Sequence, residues 1–397
     1  MASASVVGGS FCRLLSTIVW CCLLGALAVS GWEHVSESGL VQALAEHEFV
    51  LVAFISQNDP RSAALEPEWL SATAAEDQEQ HLISIDCVSS EAACRRFGAG
   101  TAAASIQLFR RGHPVAVYQG ARRAEALLSF LARRKRPIVV DIHTPDELSA
   151  LKTADETVFV AFLGPDADDS ASAGAFSELA ARYRDEFTFG RVADGSVVEA
   201  GGVGKTPTVV CYRTVDGETL TFSALHEPRK LDAWVQDVSR LVLGDLTGWN
   251  RQRLLDRGWP MVYLFASTAT QRSELQTALR RFAQSYYDSL TCVLVDPVEF
   301  PELVEQMGLA RDISFPAGAV HQLSKDRIYP YPRGRAFTSR SVQQWGLDVY
   351  QGRVKPWTPP GVTTVYEDLA PTMVATRRVS IRSFPGLKVK VAGHGEL

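Results

Sequence analysis

The sequence predicts an α/β protein built from three tandem domains, each a central mixed sheet with helices on both faces. Three observations predict it. Apolar β-rich runs recur at a regular period. Each run is continuous rather than alternating, as in strands buried on both faces. Helical patterns lie between and after the runs. The length of 397 residues fits about two or three domains.

Residues 1–30 come first and stand apart. Arg13 is the only charge before an apolar run from Leu14 to Val29, and Ala28-Val29-Ser30 offers small residues for cleavage after Ser30. This is a signal-peptide pattern. The run is short for a spanning helix, which needs about 20 apolar residues. Cys12, Cys21 and Cys22 fall in this stretch, so Cys87, Cys94, Cys211 and Cys292 are the cysteines that remain.

The opening strand recurs as Phe49–Phe54, Thr157–Phe162 and Pro260–Phe265, the last Phe residues lying 108 and 103 positions apart. A second strand follows each: Leu82–Asp86, Phe189–Asp194 and Val293–Asp296. A helix separates the two strands. In the third copy Leu275, Leu279, Phe282 and Tyr286 keep helical spacing. The third strand is Ile106–Phe109, Thr208–Tyr212 and Ala317–Val320. A closing helix spans Ala124–Arg134, Arg229–Arg240 and Ser341–Gln351. The unit reads β-α-β-α-β-(β)-α, and its domains run 31–136, 137–245 and 246–352. Residues 353–397 read as a linker and tail, Pro-rich at Lys355–Pro360.

The segment Phe54-Ile-Ser-Gln-Asn-Asp-Pro-Arg-Ser-Ala-Ala-Leu-Glu-Pro-Glu-Trp69 resembles the FYAPWCGHCKALAPEW segment of protein disulfide isomerases. Thr206-Pro-Thr208 and Phe315-Pro-Ala317 resemble the cis-proline loops of thioredoxin folds. The resemblance covers roughly residues 33–356. It implies three thioredoxin-like domains in the a-b-b′ order of that family, with cis-prolines at Pro207 and Pro316.

The resemblance also implies what is lost. Family chemistry needs a thiolate of depressed pKa at a helix N-terminus, a resolving thiol, a buried carboxylate and a cis-proline. Those four positions align with Asp59, Ser62, Ala53 and Ala104. A carboxylate and a hydroxyl cannot form the mixed disulfide of thiol exchange. Asp59-Pro60 reads instead as a helix N-cap followed by Pro at the first helical position. No catalytic residue is therefore expected at this site.

Cys87 and Cys94 have a spacing similar to a structural disulfide in fungal members of the family, with two unpaired thiols as the alternative. Cys211 and Cys292 read as inert core thiols. Ala200–Thr206 resembles a phosphate-binding loop. It has Glu199 where a Gly is needed and leads into a β-rich run instead of a helix, so nucleotide binding is rejected. The eight histidines show no metal-ligand spacing, and no cofactor or metal is expected. The net charge of −5 gives no nucleic-acid footprint. The run Arg133–Arg136 reads as a helix C-terminal cation cluster and interdomain linker.

What remains is the family's second activity, binding non-native polypeptides. By position, Leu264, Leu279 and Val293 match the apolar pocket of the family's b′ domain, with Phe282 and Phe315 nearby; ordinary core packing is the alternative for all five. Trp345, Tyr350 and Trp357 read as residues that could cover such a pocket. The last residues, His394-Gly395-Glu396-Leu397, resemble an HDEL retrieval signal with Gly for Asp. Leu387–Val391 also resembles the first strand of a second catalytic domain. The expectation is a redox-inactive, chaperone-like protein of the endoplasmic reticulum lumen. Its implied partners are unfolded or partner polypeptides and a catalytic disulfide isomerase, with no nucleic acid and no membrane once the signal is cleaved. Two alternatives stand beside it: an active oxidoreductase using Cys87 and Cys94, and a structural adaptor for one partner.

Overall fold

A computed structural model describes residues 32–75, 81–98, 104–163, 171–310 and 312–359. The signal-like residues 1–30 and the tail with its HGEL end lie outside the described residues. The three repeats form three separate sheets.

The first unit contains α1 (Glu37–Glu46), β1 (Phe49–Ile55), α2 (Pro60–Ala74), β2 (His81–Asp86), α3 (Glu91–Arg96), β3 (Ser105–Arg110), β4 (His113–Val117) and α4 (Ala124–Lys135). Its strand order is β2-β1-β3-β4. β1 pairs parallel with β2 and antiparallel with β3, so the sheet is mixed. Along β1, Leu51, Ala53 and Ile55 enter one core, and Val50, Val52 and Phe54 enter the other. The two-residue side-chain period of a strand makes that division. It is why the run is apolar throughout.

The second unit adds β5 (Val140–Ile142), α5 (Pro145–Lys152), β6 (Thr157–Phe162), α6 (Ala171–Tyr183), β7 (Thr188–Val192), α7 (Gly195–Ala200), β8 (Thr208–Arg213), β9 (Glu218–Phe222) and α8 (Pro228–Val238). The order is β5-β7-β6-β8-β9. Phe159 and Ala161 face one core, and Val158, Val160 and Phe162 face the other.

The third unit holds β10 (Gly244–Asp245), α9 (Arg251–Asp256), β11 (Met261–Phe265), α10 (Ala269–Ser285), β12 (Thr291–Val295), α11 (Pro301–Gln306), β13 (Ala317–Gln322), β14 (Arg327–Pro330) and α12 (Ser339–Tyr350). Its order, β10-β12-β11-β13-β14, repeats that of the second unit.

Two features correct the sequence reading. The second and third units each begin with a strand and helix that the repeat pattern did not contain: β5 with α5, and β10 with α9. The boundary at 245/246 also falls too late. β10 pairs parallel with β12 through Gly244 and Asp245, so the third unit takes its first strand from before residue 246. A strand of two residues is too short to show any hydrophobic period.

Candidate functional site

The N-terminus of α2 carries Asp59 and Ser62, the two positions that the sequence resemblance sets against the family's thiols. Asp59 is the N-cap, with extended backbone, and its Oδ1 accepts from the Arg61 N–H at 3.4 Å. Pro60 follows at the first helical position, where a missing N–H costs nothing. The Arg61 guanidinium turns back on the same carboxylate at 3.3 Å. Ser62 is buried, and its Oγ accepts from the Ser56 N–H at 3.1 Å. Both side chains are thus engaged in holding the loop before the helix. Ala53, in the middle of β1, is fully buried. Ala104 has φ 54°, and its carbonyl accepts from Arg122 Nη2 at 2.8 Å.

The four cysteines among the described residues take other places. Cys87 and Cys94 form a disulfide joining the end of β2 to α3, and both pack on the core beneath α1. Cys211 in β8 and Cys292 in β12 are free and buried. Burial pushes each thiol up to about 12. A thiol at that value is protonated near neutral pH and is a poor nucleophile.

The glycine-rich loop after α7 leads directly into β8. The peptide bonds Thr206–Pro207 and Phe315–Pro316 are cis.

The five pocket residues do not assemble into one pocket. Leu264, Leu279 and Phe282 sit in the core between the third sheet and α10 and α12. Val293 lies in the other core of that sheet, and Phe315 packs against that same core. The register explains the split. Val293 pairs with Tyr263, not with Leu264, so it shares the Tyr263 face. Leu264, Leu279, Phe282 and Val293 are at most 8 % exposed. They are core, the alternative that the sequence left open; Phe282 also borders a shallow hollow.

Two of the five line larger cavities: Val293 borders a mixed polar and apolar cleft of about 370 Å³ where the three units meet, and Phe315 lines a groove in the third unit. That groove, of about 450 Å³, runs between α10, residues 312–316 and residues 331–337. Leu275 and Ala278 form its helical wall, Ile313 and Phe315 one rim, and Tyr331 and Phe337 the other. Gln271 Nε2 donates to the Phe315 carbonyl at 2.9 Å and ties that rim to α10. Tyr331 and Phe337 stack at 4.6 Å, and Trp345 supports Tyr331 edge-on at 5.1 Å. Arg333 and Asp312 join the two rims by an ion pair at 3.4 Å. Trp345 therefore lies under the groove as core. Trp357 lies elsewhere: it bridges to Ile328 and fills the space over Gly308. Tyr350 ends α12, half-buried. Sequence reasoning missed Tyr331 and Phe337, because they stand in an irregular segment where no period marks them.

A family profile for the thioredoxin-like domain matches residues 165–346. A protein disulfide-isomerase of Aspergillus oryzae is 28% identical over 312 residues, covering 78% of this chain and 59% of the relative. One of Humicola insolens is 27% identical over 311 residues, covering 78% and 60%. The chain contains a thioredoxin-like domain and is similar to protein disulfide isomerases. It spans about three-fifths of the length of these curated relatives. The crystal structure of human ERp44 form II is 17% identical, with 81% of this chain and 88% of that one covered and a TM-score of 0.37. Among the described residues, no helix of this chain is long and apolar enough to cross a membrane.

Proposed function

We propose that this chain is a redox-inactive member of the protein disulfide isomerase family that binds non-native or partner polypeptides in the endoplasmic reticulum lumen. One observation carries the first half. Both positions at the head of α2 that would need thiols hold oxygen side chains already committed to the backbone, Asp59 as cap and Ser62 as acceptor for Ser56. Thiol exchange proceeds by thiolate attack through a mixed disulfide, and neither group can supply it. The Cys87–Cys94 pair does not favour the oxidoreductase alternative. It is bridged, and Cys94 is buried in the first unit's core.

The second half rests on the groove beside α10. It is concave, lined by aromatic and aliphatic side chains, and rimmed by charge, the character of a ligand site. A hydrophobic segment of a client would desolvate Leu275, Phe315, Tyr331 and Phe337. The compartment follows from the signal-like start and the HGEL end.

The test has two arms. Insulin reduction by the purified protein is expected at the uncatalysed rate; turnover that disappears in Cys94→Ser would overturn the inactive reading. A fluorescent hydrophobic peptide is expected to bind, with affinity falling at least tenfold in Ala278→Trp, which fills the groove. Undiminished binding by that variant, folded by circular dichroism, would remove the groove from the proposal.

A further inference from the structure

The first unit docks on the third, and charge concentrates where they meet. The Trp249 ring, from the third unit, packs on Tyr118 at 5.1 Å and Phe130 at 5.8 Å in the first. Gly120 leaves room for that ring; a Cβ there would lie 2.6 Å from it. The Gly248 N–H donates to the Gln119 carbonyl at 2.9 Å. Beside this anchor, the turn at Asp296–Glu299 faces Arg61, Ala64 and Leu65 of α2 and Arg122 across a small hollow. This is the face around the head of α2.

Glu299 is largely buried there, 3.9 Å from Arg122. Arg123 bonds Asp245 at 2.8 Å and Glu156 of the second unit at 3.2 Å, and Arg272 of α10 reaches Asp245 at 3.5 Å. Asp296 accepts from the Val298 N–H at 2.8 Å within the turn. Arg61 is already paired with Asp59, and Glu125 reaches Arg123 from solvent at 3.8 Å. Among the described residues, four carboxylates (Glu156, Asp245, Asp296, Glu299) therefore meet three guanidiniums (Arg122, Arg123, Arg272). One negative charge is in surplus, and Glu299 meets its cation, Arg122, only at 3.9 Å.

We infer that this junction is a proton-linked latch: protonated Glu299 seats the 296–299 turn on the first unit, and its ionisation loosens that seat. Burial pushes the Glu299 carboxyl up, Asp296 and Asp245 add to this, and Arg122 and Arg272 oppose it, for a value of about 7 against an ordinary 4.5. Undocking restores its hydration and its ordinary range. The docked form therefore holds the extra proton between the two values. Docking is strongest below the undocked value and weakens as pH rises through the docked one. Between pH 6 and pH 8 the docking constant should fall about tenfold. The Trp249 anchor does not titrate and contributes equally at both.

The experiment is single-molecule energy transfer on the full chain, with dyes coupled to azido-amino acids at Val41 of α1 and Leu347 of α12, both exposed. The expected result is an undocked fraction that rises about tenfold from pH 6 to pH 8. In Glu299→Gln, which mimics the protonated group, it should stay at the low value throughout. Arg122→Gln removes an opposing cation and should move the transition to higher pH. An undocked fraction that is absent or equal at both pH values overturns the latch. A pH response unchanged in Glu299→Gln overturns it equally.

Discussion

Asp59 and Ser62 do structural work at the head of α2. As N-cap, Asp59 satisfies one of the donors orphaned at the start of α2. Its replacement should act on stability alone: Asp59→Ala is expected to cost about 1 kcal/mol in urea unfolding. This role was legible in the sequence, because cap and first-turn preferences are set within four residues. The Cys87–Cys94 bridge closes a short loop, with a sequence separation of 7. A loop of that size should contribute about 2–3 kcal/mol by constraining the unfolded chain. Cys94→Ala should lose that amount, and the loss should match that of the wild-type protein under reductant. The groove was not legible at this scale. Leu264 and Val293 sit on neighbouring strands and look equivalent in sequence, yet a one-residue register difference sends them to opposite faces.

Elements were legible in proportion to their length and burial. The long inner strands β1, β6 and β11 announced themselves as unbroken apolar runs, because helices cover both faces of each sheet. β5 and β10, with three and two residues, could not. The presence of β5 is instead recorded in a residue of β7. A Cβ on Gly190 would lie 2.4 Å from Leu151 of α5 and 2.9 Å from Ile142 of β5. That glycine lets the added strand and helix close on the second sheet. Gly190→Ala should therefore destabilise the protein by about 1–3 kcal/mol, the usual cost of overpacking. Denaturant unfolding would measure it, and a neutral result would mean that α5 yields easily.

Arginines organise the whole molecule, and a sequence reading treats them as solvated charge. In sequence the run at 133–136 reads as a linker with a cation cluster. In the fold, Arg133 bonds Asp155 at 2.6 Å and Arg134 bonds Asp185 at 2.5 Å, fastening the first unit to the second. Between the second and third units, Arg253 pairs with Glu186 at 2.8 Å, and Arg280 with Asp216 at 3.2 Å. Arg213 sits at the centre, 1 % exposed. It contacts Glu218, donates to the Arg240 carbonyl, and reaches the Tyr287 hydroxyl at 2.6 Å. Composition could not reveal this, since only the packing of two units removes these guanidiniums from water. A buried pair of this kind is costly to break, because truncating one partner strands the other charge without water. Arg213→Met leaves the nearly inaccessible Asp216 with one cation fewer and frees Glu218. The expected loss is about 3–5 kcal/mol. Arg353→Met, at an exposed pair with Asp348, should change stability by less than about 1 kcal/mol. Calorimetry separates the two readings of that loss. If the network couples the units, the wild-type second and third units melt in one transition and Arg213→Met splits it in two. A single transition that only shifts downward would confine Arg213 to the stability of its own unit.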